Sequence, residues 1–200
     1  MSLLAEGLQE LSLKADTDKL AAYAAELDRW NQVYGFVKAN HEQILTHHVL
    51  DALVAVPVVR QLGSTIADFG SGAGLPAIPL AIALPQVTFT LIERSEKRRA
   101  FLSAVFAHVG LQNAQVVERA SGKNFDLVTA RAVSPLPKLA TFVANERLAP
   151  RLLVYAGTRS AIDAALCKTP FPATVKQVRV PGVHAERHLI TVHLSKKDAL

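Results

Sequence analysis

The chain has 200 residues, half of them hydrophobic, and a formal charge of +5. That length suits one α/β domain with a short extension, and no stretch approaches the ~20 uninterrupted apolar residues of a membrane span. The single cysteine, Cys167, excludes an internal disulfide and a cysteine-rich zinc site, while the positive balance eases contact with a polyanion.

The opening residues lack the basic and long apolar segments of a secretory signal, so a reducing cytoplasm is the expected compartment. Residues 1–62 read as helical. Leu20, Tyr23, Ala24, Leu27 and Trp30 recur at helical spacing, and Ile44, Leu45, His48, Val49 and Ala52 do so again. Trp30 reads as a core anchor of this helical cap, with base stacking as the alternative. His47-His48 followed by Asp51 hints at metal ligation, but only His48 and Asp51 stand at i and i+3 on a helix and no third ligand joins them, so helix packing or interhelical hydrogen bonding is the preferred reading. Pro57 and Gly63 punctuate the exit from the region.

From residue 63 to 200 the pattern changes to short apolar runs alternating with amphipathic stretches. Strands are expected at Thr65–Phe69, 87–92, Ala114–Val117, 125–129 and 152–155, and helices at 75–84, 95–109, 136–147 and 160–166. Two last strands, 175–180 and 188–194, follow each other without a helix. The alternation implies a parallel sheet covered on both faces, and the closing pair implies one antiparallel strand near the C-terminus. The expected whole is a Rossmann-like α/β unit with a seven-stranded sheet and an N-terminal helical cap.

The segment Asp68-Phe69-Gly70-Ser71-Gly72-Ala73-Gly74 lies between the first strand and its helix. Three glycines allow a tight turn and close approach of backbone to a ligand, at the end of the sheet where open parallel sheets bind ligands. The spacing discriminates between cofactors. Dinucleotide folds prefer G-x-G-x-x-G; here the third glycine comes one residue early and an acid precedes the first. That favours S-adenosylmethionine (SAM), which carries no phosphate. Asp68 suits its cationic end, and Glu93, about 20 residues beyond the loop at the end of the second strand, suits its ribose hydroxyls. Gly70, Gly72, Gly74 and Leu75 complete the candidate loop.

Several runs then match a known family in order: Arg29-Trp30-Asn31, His48-Val49-Leu50-Asp51-Ala52, the glycine loop continued by Leu75-Pro76-Ala77-Ile78-Pro79-Leu80, Glu93-Arg94-Ser95-Glu96-Lys97-Arg98, Phe125-Asp126-Leu127-Val128-Thr129-Ala130-Arg131-Ala132, and Glu186-Arg187-His188. On these the chain resembles the RsmG/GidB family of bacterial ribosomal RNA methyltransferases. The resemblance implies a class I SAM-dependent methyltransferase fold and methylation of guanine N7 in the 16S rRNA of the small ribosomal subunit. It implies cofactor contacts from Gly70, Leu75, Ala120, Ser121 and Arg131, with Arg131 also facing the target base. The chain departs from the family at Gly35-Phe36-Val37, where an Asn-Leu-Thr run is usual, at Ser121, usually glutamate, and at Ala156, usually lysine.

Guanine N7 is a free lone pair and needs no general base, so alignment of the reacting atoms carries the catalysis. Arg131 is the candidate catalytic residue, holding guanine O6 or a phosphate; the alternative is a structural arginine paired with a carboxylate. Lys97, Arg98, Arg99, Lys123, Lys138 and Arg187 are candidate RNA contacts. No metal is expected, and a monomer is. The competing functions are a nicotinamide-dependent oxidoreductase and a non-catalytic RNA-binding relative.

Overall fold

The computed structural model describes residues 2–120 and 124–195. The cap begins with α1 (Leu3–Glu10), opened by the Ser2 side chain, which accepts from the Ala5 amide. Next comes α2 (Thr17–Tyr34), capped by Asp16 in the same way. Leu20, Tyr23, Ala24 and Leu27 form its buried stripe, as their spacing predicts. Gly35, left-handed at φ +60°, ends α2.

The next helical stretch departs from the 3.6-residue expectation. A short α3 (His41–Gln43), closed by a reciprocal Asn40–Gln43 capping box, runs into a π-helix over Ile44–Leu50 and then α4 (Asp51–Leu53). The wider turn buries Ile44 and Val49, five residues apart. Such turns commonly mark functional sites. The final cap helix is α5 (Val56–Leu62), with proline tolerated in its first turn.

The sheet contains β1 (Thr65–Phe69), β2 (Thr88–Ile92), β3 (Ala114–Val117), β4 (Leu127–Ala130), β5 (Arg151–Ala156), β6 (Ala173–Val178) and β7 (Arg187–His193) in the order β3-β2-β1-β4-β5-β7-β6. β1 to β5 are mutually parallel, and β7 runs antiparallel to both neighbours, β5 and β6. The intervening helices are α6 (Ala77–Ala83), α7 (Glu96–Val109), α8 (Leu136–Asn145) and α9 (Arg159–Leu166). α6 starts two residues later than expected, because Gly74, Leu75 and Pro76 belong to the turn before it. β4 starts two residues late because Asp126 is used as a pin. Its Oδ2 accepts from the Ser64 and Thr65 amides, and those bonds hold the carboxyl below its ordinary range.

Burial explains how the cap is attached. One apolar cluster runs from Leu4, Leu20 and Leu27 in the cap through Leu53 and Val56 to Ile66, Leu80 and Phe89 in the α/β region. A second lies on the other face, around Val128, Leu139, Val143 and Leu152. Fully buried Tyr23 adds a directional tie, its hydroxyl donating to the Ala73 carbonyl at 2.8 Å. The cap therefore holds the glycine loop by a hydrogen bond as well as by packing. Tyr23→Phe leaves the carbonyl of buried Ala73 without this donor. We expect a stability loss of about 1–3 kcal/mol in urea unfolding; an unchanged midpoint would show that the tie is dispensable.

Candidate functional site

Parallel strands β1, β2 and β4 end on one edge of the sheet, and the loops leaving them enclose a cavity of about 790 Å³, well within the range of cofactor sites. Its wall includes Gly70, Ser71, Gly72, Ala73 and Leu75 from the glycine loop, Glu93 from the end of β2, and Arg131 to Ser134 from beyond β4. The cap supplies Phe36, Val37, Lys38 and His48. Phe69, Leu139 and Phe142 make an apolar side.

The glycine loop is held from two sides. The Gly70 and Ser71 amides donate to the Ile92 carbonyl. The Gly72 amide donates to Glu93 Oε2 at 2.9 Å, and the Ser95 amide to Glu93 Oε1 at 2.8 Å. Glu93 is 6% exposed and retains lone pairs on both oxygens. Gly72 adopts φ +56°, and nothing closer than 3.8 Å occupies the place of a Cβ. A side chain there would take space on the cavity wall. Gly74 serves a different need: its Cβ would meet Ile78 Cδ1 at 2.3 Å, so it lets α6 pack under the loop.

Asp68 sits beneath the loop rather than on the cavity wall. It is 1% exposed, and Oδ1 accepts from the Thr129 hydroxyl at 2.8 Å. Oδ2 is buried without a protein partner. Burial raises this carboxyl to about 6, against the opposing Thr129 hydrogen bond and the Arg131 charge. An orphaned acceptor of negative character below a glycine cradle fits a ligand bearing an ammonium group. A buried carboxylate beside the loop amides at Glu93 fits a diol. The apolar side formed by Phe69, Leu139 and Phe142 fits an aromatic base. The residues present therefore suit SAM in each of its chemical parts.

Arg131 follows β4 and lines the cavity, next to Ala132 in the left-handed region at φ +56°, a conformation seldom adopted by residues with a Cβ. Its guanidinium donates to Asp51 Oδ2 at 2.9 Å and to His48 Nδ1 at 3.0 Å. Arg187 Nε donates to the other Asp51 oxygen at 3.1 Å. The carboxylate pairing weighed as an alternative for Arg131 is thus present, while Arg131 remains on the cavity wall. Asp51, 4% exposed, opens α4 directly after the π-helix and ties to it the residue that follows β4 and the first residue of β7. Because guanidinium only donates, His48 Nδ1 must accept, and the His48 proton resides on Nε2. Burial first, then the Arg131 charge, lowers His48 to about 4, so the ring is neutral near pH 7.

The other sequence candidates separate by position. Arg98 lines the cavity 3.8 Å from Glu93, and Lys138 lines it too. Lys97 lies over the Tyr34 ring, 4.6 Å from its centroid. Arg99 is engaged by the Glu93 and Arg94 carbonyls at 3.0 and 2.6 Å, a clasp between the β2 end and α7. Arg187 is committed to Asp51. Ala120 packs against the second apolar cluster and is not among the described cavity-lining residues. Ser121 and Lys123 lie outside the described residues. Trp30 packs tilted on Phe101 at 5.4 Å and donates its indole N–H to Glu26, which is the anchoring role. In the Glu186-Arg187-His188 run, Glu186 accepts from the Arg159 amide and His188 Nδ1 donates to the Gly157 carbonyl.

Sequence reasoning missed the union of His48, Asp51, Arg131 and Arg187. The signal available was the HxxD pair on a helix, opposite two arginines of isolated motifs. The side-chain spacing alone does not choose between a metal and a guanidinium as the partner.

The sheet order with its lone antiparallel β7, the glycine loop and the terminal acid of β2 define the architecture of a class I SAM-dependent methyltransferase. Solved structures with little sequence identity share the fold. The METTL16 MTase domain aligns with TM-score 0.63 at 12% identity, covering 98% of this chain and 93% of that one. The O-methyltransferase TomG from Streptomyces achromogenes, in complex with SAM, aligns with TM-score 0.57 at 14% identity, covering 94% and 96%. The model of the GidB family, rRNA small subunit methyltransferase G, matches residues 16–190. Ribosomal RNA small subunit methyltransferase G of Laribacter hongkongensis is 37% identical over 208 residues, covering 96% of this chain and 97% of its own. Its counterpart in Ralstonia nicotianae is 37% identical over 191 residues, covering 86% and 84%. The chain belongs to the rRNA small subunit methyltransferase G family.

Asp51→Ala strands two arginines that share this carboxylate. We expect about 3 kcal/mol lower stability in urea unfolding. Asp51→Glu, keeping the charge, should recover part of it. A variant as stable as the parent would show that the bridge is not structural.

Proposed function

We propose that the chain transfers a methyl group from SAM to N7 of a guanine in the 16S rRNA of the small ribosomal subunit. The observation that carries this reading is the joining of two sets of groups on one cavity wall. The first is the glycine loop with Glu93, suited to a sulfonium nucleoside. The second is Arg131 with His48, suited to an electron-rich base. Neither the nicotinamide-dependent reading nor a non-catalytic RNA-binding role is favoured by the family.

SAM, when bound, supplies an electrophilic methyl carbon attached to a sulfonium. The protein's part is to position and to shape charge. Glu93 accepts from the ribose hydroxyls with the lone pairs its two amide bonds leave free. Ionised Asp68 favours the amino-acid end from beneath the loop. Gly70, Gly72 and Leu75 give the backbone surface on which the cofactor lies. Arg131 orients the incoming guanine by donating to O6, so that N7 remains a free lone pair facing the methyl group. Its charge is offset in part by Asp51, which it shares with Arg187, and the neutral His48 adds none. Next to the guanine the opposition to the positive charge that moves onto the purine is thereby reduced. Lys97, Arg98 and Lys138 are the described basic residues that meet RNA. Among the described residues no helix is long and apolar enough to cross a membrane. A reaction on ribosomal RNA belongs in the cytoplasm, and one copy of the chain contains every residue invoked, so a monomer suffices.

Transfer of labelled methyl from SAM to unmodified small subunits tests the reaction. Glu93→Ala should bind SAM at least tenfold more weakly by calorimetry. Arg131→Ala should bind SAM yet lose most of its turnover on RNA. Wild-type turnover in Arg131→Ala would remove that arginine from the mechanism.

The Asp68 carboxyl yields a pH prediction. SAM affinity should fall as pH drops through about 6, where Asp68 takes up a proton. Asp68→Asn should bind weakly with no such inflection. Stability runs the opposite way. A carboxyl raised by folding favours the native state below its unfolded value, and that contribution is lost as pH rises through about 6. An Asp68→Asn profile parallel to wild type in both measurements would contradict the assignment.

A further inference from the structure

Among the described residues the exposed large hydrophobic side chains are Val33, Tyr34, Val133 and Phe142. They are not scattered. Val133 and Phe142 line the cavity itself. Tyr34, 44% exposed, stacks at 19° on Phe36, 5.7 Å away between centroids, and Phe36 also lines the cavity. Val33, 72% exposed, adjoins Tyr34 in the last turn of α2. Exposed apolar surface gathered at one place marks an interaction site.

The rim is also built to hold its shape. Trp30 packs on Tyr34 at 5.3 Å and on buried Phe101 at 5.4 Å, so the aromatic group is anchored in the core. Gly35 turns the chain off α2, and Asn31 then fixes the following segment. Its Oδ1 accepts from the Val37 amide at 2.8 Å, and its Nδ2 donates to the Ala39 carbonyl. A strand-free loop is thereby pinned over the cavity.

The charge around this rim has one sign. Lys38, Arg94, Arg98 and Lys138 line the cavity with Arg131, and the carboxylate among the described lining residues is Glu93, whose oxygens are already engaged by amides. Lys97 rests its ammonium over the Tyr34 ring. Aromatic faces interleaved with cations are the surface chemistry of single-stranded nucleic acid binding, in which bases stack and phosphates pair with the cations.

We propose that the Tyr34–Lys38 rim, with Lys97 and Arg98, is the docking face for the RNA strand flanking the target guanine. A neighbouring base stacks on Tyr34. Lys97, displaced from the ring, pairs with a phosphate. The inference rests on RNA being the substrate and adds where, and by which groups, the strand is gripped. A second copy of this chain is the other occupant such a patch would suit, and the test separates it.

Neither Tyr34 nor Lys97 lines the cavity, so SAM affinity measured by calorimetry checks that each variant keeps its site. Binding of an unmodified small-subunit rRNA transcript is followed by anisotropy and by the fluorescence of Trp30, the chain's single tryptophan. Tyr34→Ala should weaken RNA binding by about 5- to 150-fold, the worth of one base–aromatic stack, with the salt dependence unchanged. Tyr34→Trp should retain it. Lys97→Ala should lower the slope of log affinity against log salt by about one. Wild-type RNA affinity in Tyr34→Ala, or equal losses in Tyr34→Ala and Tyr34→Trp, would overturn the proposal. So would a Tyr34→Ala effect confined to self-association in sedimentation. If wild type transfers methyl groups while these variants match it, only the docking face is wrong. If wild type neither binds nor methylates the transcript or the subunit, the functional reading falls with it.

Discussion

One buried carboxylate determines how this molecule is put together. Asp51 holds Arg131 with one oxygen and Arg187 with the other. The first arginine leaves the central strand β4, and the second opens the antiparallel strand β7. Asp51 itself belongs to the cap. Bringing three charges out of water is costly unless they are paired, so the cap, the central strand β4 and the antiparallel strand β7 are constrained to meet at this point. Two members of the cluster, Arg131 and His48, reach the cavity wall. Packing of the first apolar cluster joins the same parts without direction; the ion pairs give the direction.

That constraint also sets the electrostatics of the reaction. Arg131 carries a full charge, and an unbalanced cation beside N7 would oppose methylation. With Asp51 on one nitrogen and the His48 ring on the other, the guanidinium is fixed and, because Arg187 shares the carboxylate, partly compensated. Desolvation keeps His48 uncharged, and the arginine fixes its tautomer. At the glycine loop two acids lie close to the backbone, Asp68 beneath it and Glu93 beside it, which suits a cofactor that is cationic at one end; the Gly70, Ser71 and Gly72 amides are engaged by the Ile92 carbonyl and Glu93.

Much of this was legible in the sequence. The alternation of apolar runs gave the parallel sheet, and the adjacent pair at the end gave its antiparallel member. The loop was legible because glycine spacing, a preceding acid and a second acid after the next strand are constraints of backbone geometry and survive without an alignment. The Leu20 to Leu27 stripe was legible because a helix face repeats. What stayed hidden depends on distance in space rather than in sequence. The π-helix escaped because its wider turn differs little from an α pattern over seven residues. The His48-Asp51-Arg131-Arg187 cluster escaped because residues 80 and 136 positions from Asp51 complete it. Asp68 read as a cofactor contact, and its side chain lies buried beneath the loop and off the cavity wall, since a residue at a strand end points to one face or the other and sequence alone leaves that choice open. Arg99 and Arg187 read as candidate RNA contacts; the carbonyls that engage the first come from the segment before α7, and the carboxylate that engages the second comes from the cap.

The central claim is that the cavity joins SAM to a guanine N7 of ribosomal RNA, and the position of the new methyl group is its most direct test. Small subunits from cells lacking the activity, incubated with the purified chain and SAM, are treated with borohydride and aniline, which cleave RNA at 7-methylguanosine. The account predicts a new break at a single guanine of the 16S rRNA, dependent on both protein and SAM. Intact RNA after a complete reaction, or a methyl group mapped to another atom, would contradict it.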